Sequence, residues 1–220
     1  MKSTTESTPE STPKSTVTLT QRILVWDWPV RLGHWSMVVA FVTAWLTSES
    51  ESLRLVHALA GGALVAIIAF RVIWGVIGTR HARFASFVRG PGAVAGYVRS
   101  LIGRAPQQHA GHNPAGGWAI VALLALGAIS GLTGWLVYND LGGHLFEELH
   151  EGAASFMLGV VLIHVAGVVF SSLRHRENLV RAMVSGYKQG PAADGIASAR
   201  PLVAGLLIAW TLLASWLIAA

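Results

Sequence analysis

The chain has no cysteine among its 220 residues. That single absence excludes disulfides, thiolate metal sites, iron–sulfur clusters and covalent C-x-x-C-H haem attachment. Any metal or haem must be held by His, Met, carboxylate or other oxygen ligands. Charge is scarce as well: Asp, Glu, Lys and Arg make up 12% of the chain, against about 25% in soluble domains. Nor does any Asp or Glu fall inside the long apolar runs away from their ends. The surplus is apolar, with 53% hydrophobic residues and nine Trp. So much apolar surface requires lipid as solvent, and the composition predicts an integral membrane protein. The net charge of +5 is then expected to face anionic lipid rather than nucleic acid.

Residues 1–21, "MKSTTESTPESTPKSTVTLTQ", are Ser, Thr and Pro with scattered charge. Such a segment buries too little apolar surface to order itself and is expected to be a disordered cytoplasmic tail. It has no apolar h-region and is not expected to act as a cleaved signal peptide. Five apolar spans follow, at about 30–47, 53–78, 117–138, 149–173 and 201–219. Each is close to the roughly 20 residues needed to cross the hydrocarbon as a helix.

Basic residues set the expected orientation. The connection between the second and third spans holds Arg80, Arg83, Arg89, Arg99 and Arg104 with no acid, and that after the fourth holds Arg174, Arg176, Arg181, Lys188 and Arg200. The loop after the first span is "SESES", and the one after the third carries Asp140, Glu147 and Glu148. The positive-inside rule then puts the N-terminus and the basic connections in the cytoplasm, with the acidic loops and the C-terminus outside.

Nine histidines are present, and depth sorts them. His81, His109, His112, His144 and His175 fall in loops or at interfaces and are expected to face solvent or headgroups. The other four lie within spans, where an ionisable side chain is costly and marks a functional candidate. His34 is near the cytoplasmic start of the first span, and His57 near the outer start of the second. His150 begins the fourth span outside, and His164 lies fourteen residues deeper. The four pair by depth: His57 with His150 outside, His34 with His164 inside.

Fourteen residues of α-helix separate His150 from His164 by roughly 21 Å and about 40° of azimuth, so both share one helix face. They are too far apart to share a metal ion. Each can supply an axial ligand to a separate haem, the two haems stacked across the bilayer. Arg71 follows His57 by the same interval and is placed to pair with a propionate of the inner haem, or else snorkels to the headgroups. Gly61, Gly62, Gly159 and Gly167 near these histidines permit close approach of a flat macrocycle, and equally permit ordinary helix packing. A His-lined ion or metal transporter is the rival reading; it would favour acids inside the spans.

The segments "VWDWPVRLGHW" (25–35), "RVIWG" (71–75), "GHNPAGGW" (111–118) and "ELHEGAASFMLGVVLIHVAG" (148–167) together resemble the bacterial cytochrome b561 family, which includes the b-type cytochrome subunits of nickel–iron hydrogenases. The resemblance covers about residues 22–190. It implies an all-α membrane protein, a four-helix transmembrane bundle with two bis-His b haems, whose ligands would be His34, His57, His150 and His164. With the composition and spans above, the chain is expected to divide into the tail (1–21), a dihaem cytochrome b domain (22–190) and a linker with a fifth transmembrane helix (191–220). The resemblance also implies electron transfer in the inner membrane between the quinone pool and a periplasmic c-type cytochrome, dehydrogenase or hydrogenase. A self-sufficient superoxide:quinone oxidoreductase is the alternative within the family. The long tail and fifth span depart from the pattern; the fifth span is read as an anchor for a partner subunit or a homodimer surface.

Overall fold

The computed structural model describes residues 20–103 and 106–219. In it each apolar run is helical, the form that satisfies every backbone N–H and C=O within one segment when no water is at hand. Strand β1 (Thr20–Leu24) leads into helix α1 (Trp28–Thr47), and a 3₁₀ turn precedes α2 (Arg54–Ile77). Two short helices, α3 (Phe84–Phe87) and α4 (Pro91–Ile102), come before α5 (Pro114–Tyr138). Helix α6 (Gly143–His175) is followed by α7 (Leu179–Ser185), strand β2 (Tyr187–Pro191) and α8 (Pro201–Ala219).

Three helical stretches, Glu51–Ile77, Pro114–Tyr138 and Gly143–His175, are long and apolar enough to cross a membrane, and Pro201–Leu217 is a shorter apolar helix. Large apolar side chains such as Leu46, Ile77, Leu173 and Leu202 point outward, as a lipid-facing surface requires. Helix starts follow local chemistry. Asp27 caps α1 by accepting the Val30 N–H at 2.8 Å, with Pro29 in the first turn where its missing donor is harmless. Asn113 caps α5 in the same way through Gly116 N–H at 2.7 Å, followed by Pro114.

Helix α2 is the centre of the bundle and packs on α1, α5 and α8. Helix α6 packs closely on α5 and α7, while its backbone stands off from α1 and α2. Only Met157 and Ser171 of its 33 residues are buried. Met157 reaches across to Ala40, Leu64, Ile68 and Leu124 in one apolar cluster. It lies seven residues from both His150 and His164, so α6 reaches α1 and α2 midway between the two histidine levels.

Several features differ from the sequence expectation. Helix α6 starts at Gly143, not near 149, so His144, Glu147 and Glu148 lie on a helix rather than in a loop. A hydropathy boundary marks a change of solvent, whereas a helix ends only where its hydrogen bonds do. The connection between the second and third spans contains α3 and α4. Thr20 and Gln21, assigned to the tail, pair with Pro191 and Gly190 in an antiparallel two-stranded ribbon. The rest of the tail, residues 1–19, and Arg104 lie outside the described residues. Gly186 turns the chain into β2 with φ 89°, and its carbonyl accepts from Val25 and Trp26 N–H at 2.8 and 3.0 Å. A Cβ there would come within 2.8 Å of the Trp26 carbonyl, so the corner needs glycine in both conformation and space. Further on, Ile196 N–H binds the Leu24 carbonyl and Trp28 N–H the Ala199 carbonyl, each at 2.8 Å. Helix α8 is pinned by Trp210, whose indole donates to the Ala66 carbonyl at 2.8 Å.

Candidate functional site

At one end of the bundle the structure brings His57 of α2 and His150 of α6 together edge-on, ring centroids 6.0 Å apart and planes at 78°. His57 Nδ1 lies 2.8 Å from the Ala44 carbonyl, and His150 Nδ1 lies 2.8 Å from the Ser130 carbonyl. A carbonyl only accepts, so both Nδ1 atoms carry a proton, and Nε2 is the nitrogen left with a lone pair in the neutral form of each ring. Space for the His150 ring comes from Gly134 on α5: a Cβ there would stand 2.7 Å from its Cε1.

Two trans imidazoles bound to one metal through bonds of about 2 Å hold their ring centroids roughly 6 Å apart. The observed separation and tautomers therefore suit a bis-His haem iron. The stand-off of α6 from α1 and α2 suits its planar ring. Gly61, Gly159 and Gly167 each have open space where a Cβ would project.

At the other end lie His34, His164 and Arg71. His34 and His164 are electrostatic neighbours across α1 and α6. His34 Nδ1 is buried and, among the described residues, has no hydrogen-bond partner. Arg71 is only 7% exposed, and neither of its terminal nitrogens has an acceptor among the described residues. It faces inward, with its guanidinium carbon 5.0 Å from the Phe84 ring centroid and 6.0 Å from that of Phe87. A snorkelling Arg would reach the surface instead.

The nearby carboxylate, Asp27, is fully buried and already occupied. Besides Val30 N–H it accepts the Trp74 indole at 3.0 Å and the Thr79 hydroxyl at 2.7 Å. Asp27 thus ties the start of α1 to the end of α2 and leaves Arg71 without a direct ion pair.

Two histidines assigned to loops prove to be interior. His81 is buried, with Nε2 2.7 Å from the Asp194 carbonyl. His112 packs between Trp26 and Phe87, ring centroids at 4.4 and 4.8 Å, and its Nδ1 is buried without a partner among the described residues. Its electrostatic neighbours include Arg71, His164 and His34. Burial, reinforced by the Arg71 charge, pushes its pKa well below the usual imidazole value, so it is neutral. His109 is half-buried, its ring meeting Tyr97 edge-on at 5.4 Å. The Nδ1 of His175 is buried too. His144 alone among these five is exposed and pairs with Glu148 at 3.4 Å. The sequence sign that could have set His112 apart is its place two residues before Pro114, at the mouth of a spanning helix. Asp27, Gly134 and Met157 carried no comparable sign.

The family described as prokaryotic cytochrome b561 matches residues 25–186. Three similar proteins, from Rhizobium leguminosarum bv. viciae, Azotobacter vinelandii and Cupriavidus necator, are each named a probable Ni/Fe-hydrogenase B-type cytochrome subunit. They are 23%, 25% and 24% identical; the matches cover 76%, 76% and 74% of this chain and 88%, 88% and 86% of those proteins. No solved structure matches the chain.

Proposed function

Since this chain belongs to the prokaryotic cytochrome b561 family, a family of membrane b-type cytochromes that transfer electrons, we propose that it holds two b haems, one near each membrane face. His57 and His150 ligate the outer haem and His34 and His164 the inner. Arg71 meets an inner propionate. The observation that carries this reading is the opposed His57 and His150 pair at 6.0 Å, each ring with its Nδ1 proton on a helix carbonyl.

When bound, haem would supply one-electron chemistry, and with His34, His57, His150 and His164 as the residues that would hold it, electron transfer is favoured over oxygen activation. The chain's residues set the conditions. The Ala44 and Ser130 carbonyls orient the imidazoles and hold their protons at Nδ1, which makes Nε2 a better donor. Ala40, Leu64, Ile68, Leu124 and Met157 fill the layer between the two levels and exclude water from it. Gly134 and the stand-off of α6 keep the slot open.

The basic connections favour a cytoplasmic ribbon end and an outer acidic end. A lipid-dissolved quinone exchanges electrons at one haem edge, and a redox protein docks at the outer, acidic face. The relatives' names favour a hydrogenase for that partner; a basic c-type cytochrome also fits the charge.

The test is optical and analytical. Purified, dithionite-reduced protein is expected to show a sharp b-type α band and two haems per chain. His150→Ala and His164→Ala should each remove a different haem and halve the haem-to-protein ratio. A colourless wild-type protein, or loss of both haems in each well-folded variant, would refute the two-site reading.

A further inference from the structure

The inner end contains more donors than its own acceptors can satisfy. Arg71 is a buried cation whose two terminal nitrogens lack partners among the described residues, and His112 adds a buried Nδ1 in the same condition. Asp27 does not answer either: among the described residues its oxygens accept from Val30, Trp74 and Thr79 and make no hydrogen bond with Arg71 or His112. A buried cation left unpaired costs several kcal/mol. A further anion would complete the arrangement. The Arg71 N–H groups, with His112 as its Nδ1–H tautomer, would match a carboxylate with its two oxygens.

Resting on the dihaem reading above, we propose that His112 is a positioning residue of the inner haem, which together with Arg71 clamps one propionate and is not an iron ligand. Three observations support it. Trp26 and Phe87 pack against the His112 ring at tilted angles, which holds the ring in place. The preceding Gly111 fits against His81, where a Cβ would come within 2.8 Å of Nδ1, and the following Asn113 is fixed as the cap of α5. The loop is therefore held on both sides of His112. His112 is also neutral, as a hydrogen-bond donor beside Arg71 should be.

The test uses the holoprotein with His112→Phe, which removes the donor, His112→Gln, which keeps an N–H, and Arg71→Gln. Potentiometric titration resolves the two haems, and the outer haem serves as the folding control in every variant. His112→Phe is expected to retain two haems, shift the inner wave to lower potential and leave the outer wave in place. Its inner haem should pass to excess apomyoglobin roughly tenfold faster, the size of one charge-assisted hydrogen bond. His112→Gln should recover part of both effects. The propionate-bending band in resonance Raman should move in His112→Phe and Arg71→Gln alike, and the double variant should fall short of the sum of the singles because both hold one group.

An unmoved inner wave and an unmoved propionate band in His112→Phe would overturn the proposal and leave the dihaem reading intact. Loss of one haem with a changed low-spin signal would make His112 a ligand and overturn it equally. A shifted wave with a stationary propionate band would mean that some other anion meets the pair. Absence of haem from the wild type would instead defeat the functional reading itself.

Discussion

His57 and His150 each commit one ring nitrogen to a backbone carbonyl, and that choice decides what the other nitrogen can do. With the proton held at Nδ1, Nε2 points its lone pair away from the helix that holds the ring. Gly134 is the steric counterpart of this hydrogen bond. A Cβ on that residue would press on the imidazole at 2.7 Å from Cε1 and 2.9 Å from Nδ1, closer than real contacts allow. Gly134→Val is therefore expected to displace His150 and deplete the outer haem while the inner one stays. Redox titration and haem-to-protein ratio would show one wave lost out of two; an unchanged outer wave would mean that the ring has room elsewhere. Asp27 works by the opposite logic. It accepts three donors from α1, α2 and the turn beyond it, and so holds the Arg71 end of α2 against the start of α1.

Among the helices, α6 carries two of the four proposed ligands yet buries the least. Its hold on α1 and α2 runs through Met157 at the middle, with the histidine levels left open on either side. A helix that packed evenly along its length would close the slots. Helix α8 has the reverse character: it carries none of the four histidines and lies against α1 and α2 through Leu207 and the Trp210–Ala66 bond. A chain ending at Arg200 should keep both haems at full ratio and lose thermal stability, followed by bleaching of the visible bands on heating. Loss of haem from an otherwise folded truncation would show that α8 shapes a haem site as well as supporting the bundle.

For the molecule as a whole, the two ends differ in charge and in construction. One end is closed by the β1–β2 ribbon, α4 and α7, and there Lys188 pairs with Glu177 at 3.1 Å and donates to the His109 carbonyl at 3.0 Å. The other carries Glu49, Glu51, Asp140, Glu147, Glu148 and Glu151, all exposed. Arg54 there is drawn against Tyr138, 5.2 Å from its ring centroid. Because the natural chain has no cysteine, a single introduced thiol reports topology without background. In intact cells Ser52→Cys should react with a membrane-impermeant maleimide and Ser198→Cys should react only after lysis. The reverse pattern would invert the orientation, and with it the face offered to the protein partner.

Membrane residence, five helical runs and the intervals between His57 and Arg71 and between His150 and His164 follow from residue order alone. They depend on hydropathy and on helix repeat, both local. The family resemblance was legible for the same reason, in short motifs. What tertiary structure decided is nonlocal. Whether His57 meets His150 at 6.0 Å depends on how α2 and α6 are set apart by α5. That His112 belongs to the inner cluster depends on a loop folding back between Trp26 and Phe87. The ribbon joins residues far apart in the chain, so neither strand declares itself in isolation. Hydropathy reports which solvent a residue sees; only packing reports which side chain it meets, and the proposed site is made of such meetings.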